Sequence, residues 1–180
     1  MKSQKNLVWL DMEMSGLNPA EHKVLELAMV ITDEHLNELA QSPIWVCHQN
    51  DAILAAMDAW NQKTHSRSGL IERVKNSNLD EKTIEIQALQ FLEEWVPAGA
   101  SPLCGNTISQ DRRFLRRFMP LLDNYFHYRN IDISTLKELC KRWNPAVARG
   151  FSKAGNHTAM QDVLESIEEL KYYRTHFLRV

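Results

Sequence analysis

The sequence predicts an α/β fold in which one layer of mixed β-sheet is covered by α-helices within a single domain. Strand-like segments come first, and further short strands then alternate with amphipathic helices. The 180 residues, 44% of them hydrophobic, are enough for one sizeable core and are typical of a globular chain. No repeat, low-complexity tract or linker divides the sequence, so we expect one domain over residues 1–180.

Three strands are expected near the amino terminus. Residues 7–13 and 24–33 are rich in Leu, Ile and Val, and the turn sequence Gly-Leu-Asn-Pro at 16–19 separates them. A third strand over about residues 39–47 would follow a hairpin through residues 34–37. Consecutive strands joined by short turns predict an antiparallel meander.

The rest of the chain alternates between helices and short strands. Residues 83–95 place Ile84, Ala88 and Leu92 on one helical face, as expected for an amphipathic helix. The expected elements are, in order, a helical region over 51–76, a helix over 83–95, a strand at 103–104, a helix over about 109–118, a strand at 131–133, a helix from 134 that stops at Asn144-Pro145, and a helix over about 158–176. Such alternation adds strands to the same sheet.

Charge limits the class of partner. The chain has 21 Lys and Arg against 23 Asp and Glu, which gives a formal net charge of -2. Affinity for a long nucleic acid comes mainly from many Lys and Arg contacts that release counterions, so a long nucleic acid, including a long duplex, is disfavoured as a partner. The net charge does not exclude small substrates or substrates that bind through a metal ion.

Cysteine usage and the amino terminus predict a cytoplasmic protein. Cys47, Cys104 and Cys140 are far apart and form neither a disulfide framework nor a zinc-binding pattern. The apolar run at residues 7–10 is too short for a signal-peptide core, and no segment approaches a membrane span. We therefore expect reduced thiols and no membrane partner.

Two carboxylates are expected side by side on the first strand. Asp11 and Glu13 are two residues apart, so their side chains point to the same face of the sheet. In a partly buried position such a pair is costly unless a cation lies between the acids or one of them keeps its proton. Two solvated acids at an exposed strand end would give the same pattern, and Asp-x-Glu alone leaves both interpretations open.

Asp111, His157 and Asp162 are further candidates. Asp111 follows a strand end and lies in the first turn of a helix, where functional groups gather but where the helix dipole alone also favours an acid. His157 and Asp162 are about 140° apart on an ideal helix, so they cannot share one helical face. They can converge if His157 lies in the preceding glycine-flanked loop, which suits a group that moves a proton.

The set Asp11, Glu13, Asp111, His157 and Asp162, in this order along the chain, resembles the active-site pattern of the DEDDh group of 3′-to-5′ exonucleases. Members of that group have an RNase H-like fold. Within that group the chain is similar to the oligoribonucleases over essentially its whole length. The motifs are Trp9-Leu10-Asp11-Met12-Glu13 with Ser15-Gly16-Leu17; Met57-Asp58-Ala59-Trp60-Asn61 with His65, Ser68, Gly69 and Leu70; residues 105–115; His127-Tyr128-Arg129 with residues 132–137; and Gly150-Phe151-Ser152-Lys153 before His157. The resemblance implies a single 3′-to-5′ exonuclease domain.

The resemblance also implies a metal-dependent active site. Asp11, Glu13, Asp111 and Asp162 match the family's metal ligands and would hold two divalent cations, Mg²⁺ or Mn²⁺, which favour hard oxygen ligands. In such a site the ions activate the attacking water and stabilise the leaving 3′-oxygen. His157 matches the general base that takes the proton from that water.

Binding of a short RNA is implied in the same way. Leu17 and Trp60 match positions that grip the bases, although helical spacing alone would make Trp60 a core residue. A polar cap over the 5′-phosphate, which would favour dinucleotides, is matched by Thr107, Arg129, Ser134 and Thr135. Tyr128 matches a residue that reaches into the partner subunit's site, so the resemblance implies a homodimer.

Departures from the family pattern are few. Ser15 stands where Thr is common and Thr107 where Ser is common, so both positions keep a hydroxyl. Gln161 replaces an acid often found before the last ligand, and we expect it to affect metal affinity slightly and not the reaction. The arginines of residues 112–117 are interpreted as a solvated helix face rather than as a cluster that steers phosphate.

Two other functions stay open. One is an exonuclease of the same fold that trims the 3′ ends of long chains, which the cap residues and the absence of a strongly basic composition disfavour. The other is a non-catalytic binding protein, which the presence of all five site residues disfavours.

Overall fold

The fold is built on a mixed β-sheet. A computed structural model describes residues 1–152 and 158–179. Its strands are β1 (Leu7–Met14), β2 (Val24–Thr32), β3 (Glu38–Gln41), β4 (Trp45–Val46), β5 (Leu103–Gly105) and β6 (Asn130–Asp132). They lie in the order β3-β2-β1-β5-β6, and β4 also pairs with β2. The first three strands are antiparallel whereas β1, β5 and β6 are parallel, so the predicted meander and mixed sheet are confirmed.

Helices flank this sheet on both faces. Those within the described residues are α1 (Asp51–Ala55), α2 (Ala59–Arg67), α3 (Leu70–Asn76), α4 (Glu81–Trp95), α5 (Ser109–Phe118), α6 (Pro120–Tyr125), α7 (Ile133–Trp143), α8 (Pro145–Ala148) and α9 (Ala159–His176). The predicted helices agree with these bounds within two residues, but α6 and α8 are too short to give a periodic pattern and were not predicted. Across residues 1–152 and 158–179, no helix combines the length and apolar character that a membrane span requires.

The predicted third strand is wrong as one continuous element. It is divided into β3 and β4, with residues 42–44 between them. The Ser42 hydroxyl accepts the Met29 N–H at 2.9 Å, and Pro43 has no N–H to donate to a ladder. The side chain of Ser42 and the ring of Pro43 therefore end regular pairing with β2.

Alternation along β1 directs its side chains to two layers. Val8, Leu10 and Met12 belong to a core that includes residues of α4, α5 and α6. Trp9 belongs to a second core, formed with α7 and with Val163 and Ile167 of α9. Because residues two apart share a face, the acids that follow Trp9 on β1 lie on the side that α9 covers.

One arginine of residues 112–117 is not solvated. Arg112 is 6% exposed, and its Nε donates to Asp123 Oδ1 at 2.9 Å while Nη1 donates to Asn130 Oδ1 at 2.7 Å. The interpretation as a solvated face is therefore wrong for Arg112, which joins α5 to α6 and to the start of β6. It is confirmed for Arg113, Arg116 and Arg117, which are exposed.

Two isoleucines on α4 provide a test of this packing. Ile84 is completely buried whereas Ile86 is 47% exposed. We expect Ile84→Ala to lower the free energy of unfolding by about 2–5 kcal/mol, because it leaves a cavity between helix and sheet. Ile86→Ala, measured beside it by urea denaturation, is expected to change it by about 0.5 kcal/mol or less. Equal losses in the two variants would contradict the described position of α4.

Candidate active site

Three carboxylates converge at the carboxyl-terminal edge of the parallel strands. Asp11 and Glu13 lie near the end of β1, and Asp162 lies in the first turn of α9. One oxygen atom of each can be chosen so that all three lie within 4.8 Å of one another. The carboxyl ends of parallel strands are where such folds place ligand sites. The predicted pairing of Asp11 with Glu13 is observed, and the approach of α9 adds Asp162.

Asp111 is more deeply buried than these three acids. It is buried in the first turn of α5, where its Oδ1 accepts the Met12 N–H at 3.0 Å. Met12 lies between Asp11 and Glu13 in the sequence, so this bond ties the start of α5 to the strand that carries both acids. Asp111 is not one of the three residues whose oxygens lie within 4.8 Å, but Glu13 is close enough to raise its pKa.

Burial and mutual repulsion raise the pKa values of two of the acids. The pKa of Glu13 is raised to about 8, chiefly because the side chain is withdrawn from water, and the Asp162 and Glu26 carboxylates raise it further while Arg73 opposes them. Burial also raises the pKa of Asp111, against the N–H groups that hydrogen-bond to it. Both carboxyl groups therefore favour retaining a proton, or a cation in its place.

The donor set fits a divalent metal. Carboxylate oxygens are hard ligands, which Mg²⁺ and Mn²⁺ prefer over nitrogen or sulfur. A cation among Asp11, Glu13 and Asp162 would offset the repulsion that their proximity causes. Three of the four predicted ligands, Asp11, Glu13 and Asp162, are thus brought together in a form that could hold a metal ion.

Two buried residues beside Glu13 were not predicted to belong to the site. His65 of α2 is 1% exposed, with Nε2 at 3.1 Å from the Met14 carbonyl oxygen and Nδ1 at 4.0 Å from Glu13 Oε2. Glu26 of β2 is paired with Glu13 in the β1–β2 ladder and is completely buried. A signal for Glu26 exists in the sequence, because it is the one charged residue in β2.

The two residues predicted to grip bases are both exposed. Leu17, in the turn between β1 and β2, is 71% exposed, and Trp60, in the first turn of α2, is 61% exposed. The core position that helical spacing suggested for Trp60 is wrong, because α2 buries Asn61, Thr64 and His65 instead. Both side chains are therefore accessible to a ligand.

The loop that carries Leu17 brings the His22 ring against Gly16. A Cβ there would lie 2.6 Å from the His22 ring. His22 Nδ1 in turn accepts the Asn18 N–H at 2.9 Å, which closes the loop. The absence of a side chain at Gly16 therefore permits the turn that presents Leu17.

Hydroxyl groups of the predicted phosphate cap are hydrogen-bonded to one another. Thr107 Oγ1 lies 2.9 Å from Ser134 Oγ, and Asp132 Oδ1 accepts the N–H groups of both residues at 2.9 Å. Thr107 has φ of 52°, a left-handed conformation that is strained for a β-branched residue. Strain of this kind is frequently found at functional sites. Thr135 follows Ser134 on α7 and is exposed.

Arg129 and Tyr128 contact each other rather than this hydroxyl pair. The Arg129 guanidinium lies over the Tyr128 ring, 5.3 Å from its centroid, and Tyr128 is 71% exposed. The structure thus brings Thr107 and Ser134 together and leaves Tyr128 directed outward with Arg129 against it.

His157, the predicted general base, lies outside the described residues. It directly precedes Thr158, the N-cap residue of α9, in the sequence. Gln161, the departure noted beside the last acid, donates to Glu165 Oε1 at 3.5 Å.

Comparison with known proteins assigns the family. The exonuclease family described as RNase_T matches residues 8–170. An oligoribonuclease of Ralstonia nicotianae is 61% identical over 178 residues, which cover 99% of this chain and 81% of that protein. The chain belongs to the oligoribonucleases. The oligoribonuclease of Chromobacterium violaceum is 60% identical over 97% of each chain, so the similarity spans nearly the whole chain and is not confined to one motif.

Solved structures confirm the fold of this oligoribonuclease. The zinc-bound complex of Escherichia coli exonuclease I with single-stranded DNA superposes with a TM-score of 0.75 at 17% sequence identity, covering 97% of this chain. The chain spans about two fifths of that protein, since the match covers 41% of it. The RNase H-like fold and the assignment as a nuclease, both implied by the resemblance, are confirmed.

The raised pKa of Glu13 predicts a pH-dependent stability in the absence of metal. Between the ordinary glutamate pKa of 4.5 and the raised pKa of about 8, the folded protein binds this proton more tightly than the unfolded chain does, so the stability it provides is lost as the pH rises through that window. We expect the free energy of unfolding in EDTA to fall from pH of about 5 to about 8 more steeply in the native protein than in Glu13→Gln. Parallel pH profiles for the two proteins would contradict this.

Proposed function

We propose that this oligoribonuclease removes nucleotides from the 3′ end of short 5′-phosphorylated RNA, dinucleotides above all, and releases nucleoside 5′-monophosphates. The observation that carries the proposal is the group formed by Asp11, Glu13 and Asp162 within 4.8 Å, in a chain 61% identical to a named oligoribonuclease. The acids support metal-dependent phosphodiester hydrolysis, and the relatives' name supports short RNA as the substrate. Residues 1–180 would form one exonuclease domain.

Four acids would hold the metal. Asp11, Glu13, Asp111 and Asp162 would bind two divalent cations, Mg²⁺ or Mn²⁺. When bound, such cations neutralise phosphate charge and lower the pKa of water. Glu13 and Asp111 must lose their protons to act as ligands, so binding becomes tighter as the pH rises. Once ionised, and without cations, these carboxylates would repel an RNA phosphate.

His157 would take the proton from the attacking water. A neutral imidazole is available near pH 7, where water itself is a poor nucleophile. Water then forms a new bond to phosphorus as the bond from phosphorus to the 3′-oxygen breaks. The departing 3′-oxygen gains a proton, which leaves a nucleoside 5′-monophosphate and an RNA one nucleotide shorter.

Residues that are not metal ligands would select the length of the substrate. Leu17 and Trp60 would pack on the bases, an interaction worth about 1–3 kcal/mol per base and tolerant of sequence. The 5′-phosphate would be bound by Thr107, Arg129, Ser134 and Thr135. The hydroxyl pair at 2.9 Å offers hydrogen bonds, and Arg129 offers a positive charge. A groove closed at this end favours dinucleotides over long RNA.

We propose further that the enzyme acts as a homodimer in the cytoplasm. Tyr128 is exposed, with Arg129 against its ring, and would extend into the partner subunit's site. The thiols of Cys47, Cys104 and Cys140 are free and buried, which is consistent with a reducing compartment. A long duplex and a membrane are not expected partners.

Cleavage should depend on RNA length, on metal and on His157. With Mg²⁺ or Mn²⁺ and 5′-end-labelled RNA, we expect rates to rise steeply toward the dinucleotide. His157→Ala should lower kcat about 10²–10⁴-fold, because the general base is lost. Asp11→Ala should abolish metal-dependent cleavage.

A substitution in the predicted 5′-phosphate cap tests how the enzyme selects the length of its substrate. Ser134→Ala removes one of the two hydrogen-bonded hydroxyls and should reduce the preference for dinucleotides while long RNA is cleaved as before. Native cleavage of long RNA at the same rate as dinucleotides would contradict the closed groove.

Mixing of inactive variants tests the dimer. Asp11→Ala lacks a metal ligand and Tyr128→Ala lacks the residue that acts across the interface, so each protein alone should cleave dinucleotides poorly. A mixed dimer would combine an intact metal site with an intact Tyr128 from the partner, and mixing should restore activity. Mass spectrometry must first show that the subunits exchange. If the mixture is then no more active than the sum of its two components, Tyr128 acts in its own subunit's site.

A further inference from the structure

We propose that Glu26 is a positioning residue for the metal site. Its carboxylate fixes the amino-terminal end of α9 against the sheet and thereby sets the position of Asp162 relative to Asp11 and Glu13. This inference rests on the proposed metal-dependent function of the site and adds a residue that is not itself a ligand.

Glu26 is buried in a way that requires both of its oxygens to have partners. Every residue of β2 is buried, and Glu26 is 0% exposed. A carboxylate in such surroundings is costly unless it is paired and hydrogen-bonded. Oε2 forms an ion pair with Arg73 Nη1 of α3, and Oε1 accepts the Ala159 N–H of α9 at 3.1 Å. The side chain therefore joins β2 to two helices.

The bond to Ala159 acts as a helix cap supplied from another element. The first N–H groups of a helix have no partner within it, and Thr158, at the N-cap position of α9, makes no side-chain cap bond. Glu26 accepts the N–H of the first helical residue and places negative charge at the positive end of the helix dipole. The start of α9 is thus defined by a residue of the sheet.

The same strand pair carries a predicted metal ligand and the cap. Glu26 lies directly opposite Glu13 in the β1–β2 ladder, and Asp162 is three residues beyond Ala159 in the same turn of α9. Apolar contacts of Val163 and Ile167 hold the body of α9, but such contacts are non-directional. The hydrogen bond to Glu26 adds the direction that brings Asp162 to within 4.8 Å of the other acids.

Glu85 offers a matched control. It is also a buried carboxylate, 6% exposed, and its Oε1 accepts the N–H groups of Leu121 and Leu122 at the start of α6, at 2.6 and 3.1 Å. Helix α6 carries none of the predicted site residues. Loss of this cap should affect stability as loss of Glu26 does, but not metal affinity.

The test compares Mn²⁺ affinity by calorimetry in Glu26→Met, Glu26→Gln and Glu85→Met. Methionine removes the acceptor without leaving a large cavity, whereas glutamine keeps an oxygen that can accept the Ala159 N–H. Residues that orient metal ligands without binding the metal typically change metal affinity about 10–100-fold when they are replaced. We expect a loss of that size in Glu26→Met. Glu26→Gln should recover most of the affinity, and Glu85→Met should bind Mn²⁺ as the native protein does.

Hydrogen exchange supplies a second readout. Amides of the first turn of α9 should exchange faster in Glu26→Met than in Glu85→Met, in step with the loss of Mn²⁺ affinity. Native Mn²⁺ affinity in folded Glu26→Met overturns the proposal. Should Glu26→Met not fold, Ala159→Pro removes the donor instead, at a helix position that proline tolerates, and native Mn²⁺ affinity in that variant overturns the proposal equally.

Failure of this inference differs from failure of the proposed function. Mn²⁺ binding is measured without RNA, so a native protein that binds Mn²⁺ and does not cleave RNA contradicts the function alone. A native enzyme that cleaves RNA, with variants that all bind Mn²⁺ equally, contradicts the role of Glu26 alone. A native protein that binds no Mn²⁺ contradicts both.

Discussion

The burial of neighbouring carboxylates at one edge of the sheet is the constraint around which this oligoribonuclease is organised. Asp11, Glu13 and Asp162 lie within 4.8 Å of one another, and Asp111 is buried behind them. Burial and proximity raise the pKa of Glu13 to about 8. A fold that retains such a cluster loses stability at neutral pH unless a cation compensates, and this cost is the physical basis for regarding the cluster as a metal site.

Two helix dipoles and one arginine partly offset the unfavourable burial of these negative charges. Asp111 and Asp162 lie in the first turns of α5 and α9, where the helix dipole favours an acid. Arg73 pairs with Glu26 behind Glu13 and lowers the pKa of Glu13. The acids are thus held by two helix ends and a sheet strand, and each support is independent of a bound metal.

Local charge and overall charge have different meanings for the substrate. A net charge of -2 disfavours a long polyanion held by many phosphate contacts. It does not disfavour a substrate with one or two phosphates, because cations bound by four of the 23 acids would reverse the sign of the field where the phosphate lies. Bulk charge therefore predicts the length of the partner better than its chemical class.

The sequence by itself determined the features that depend on the regular spacing of residues within one strand or helix. Alternation placed Asp11 and Glu13 on one face, and the apolar spacing of α4 predicted its buried side. Tertiary structure decided the burial of Arg112, the exposure of Trp60 and the approach of Asp162. These features arise from contacts between residues far apart in the chain, for which strand and helix periodicity contain no information.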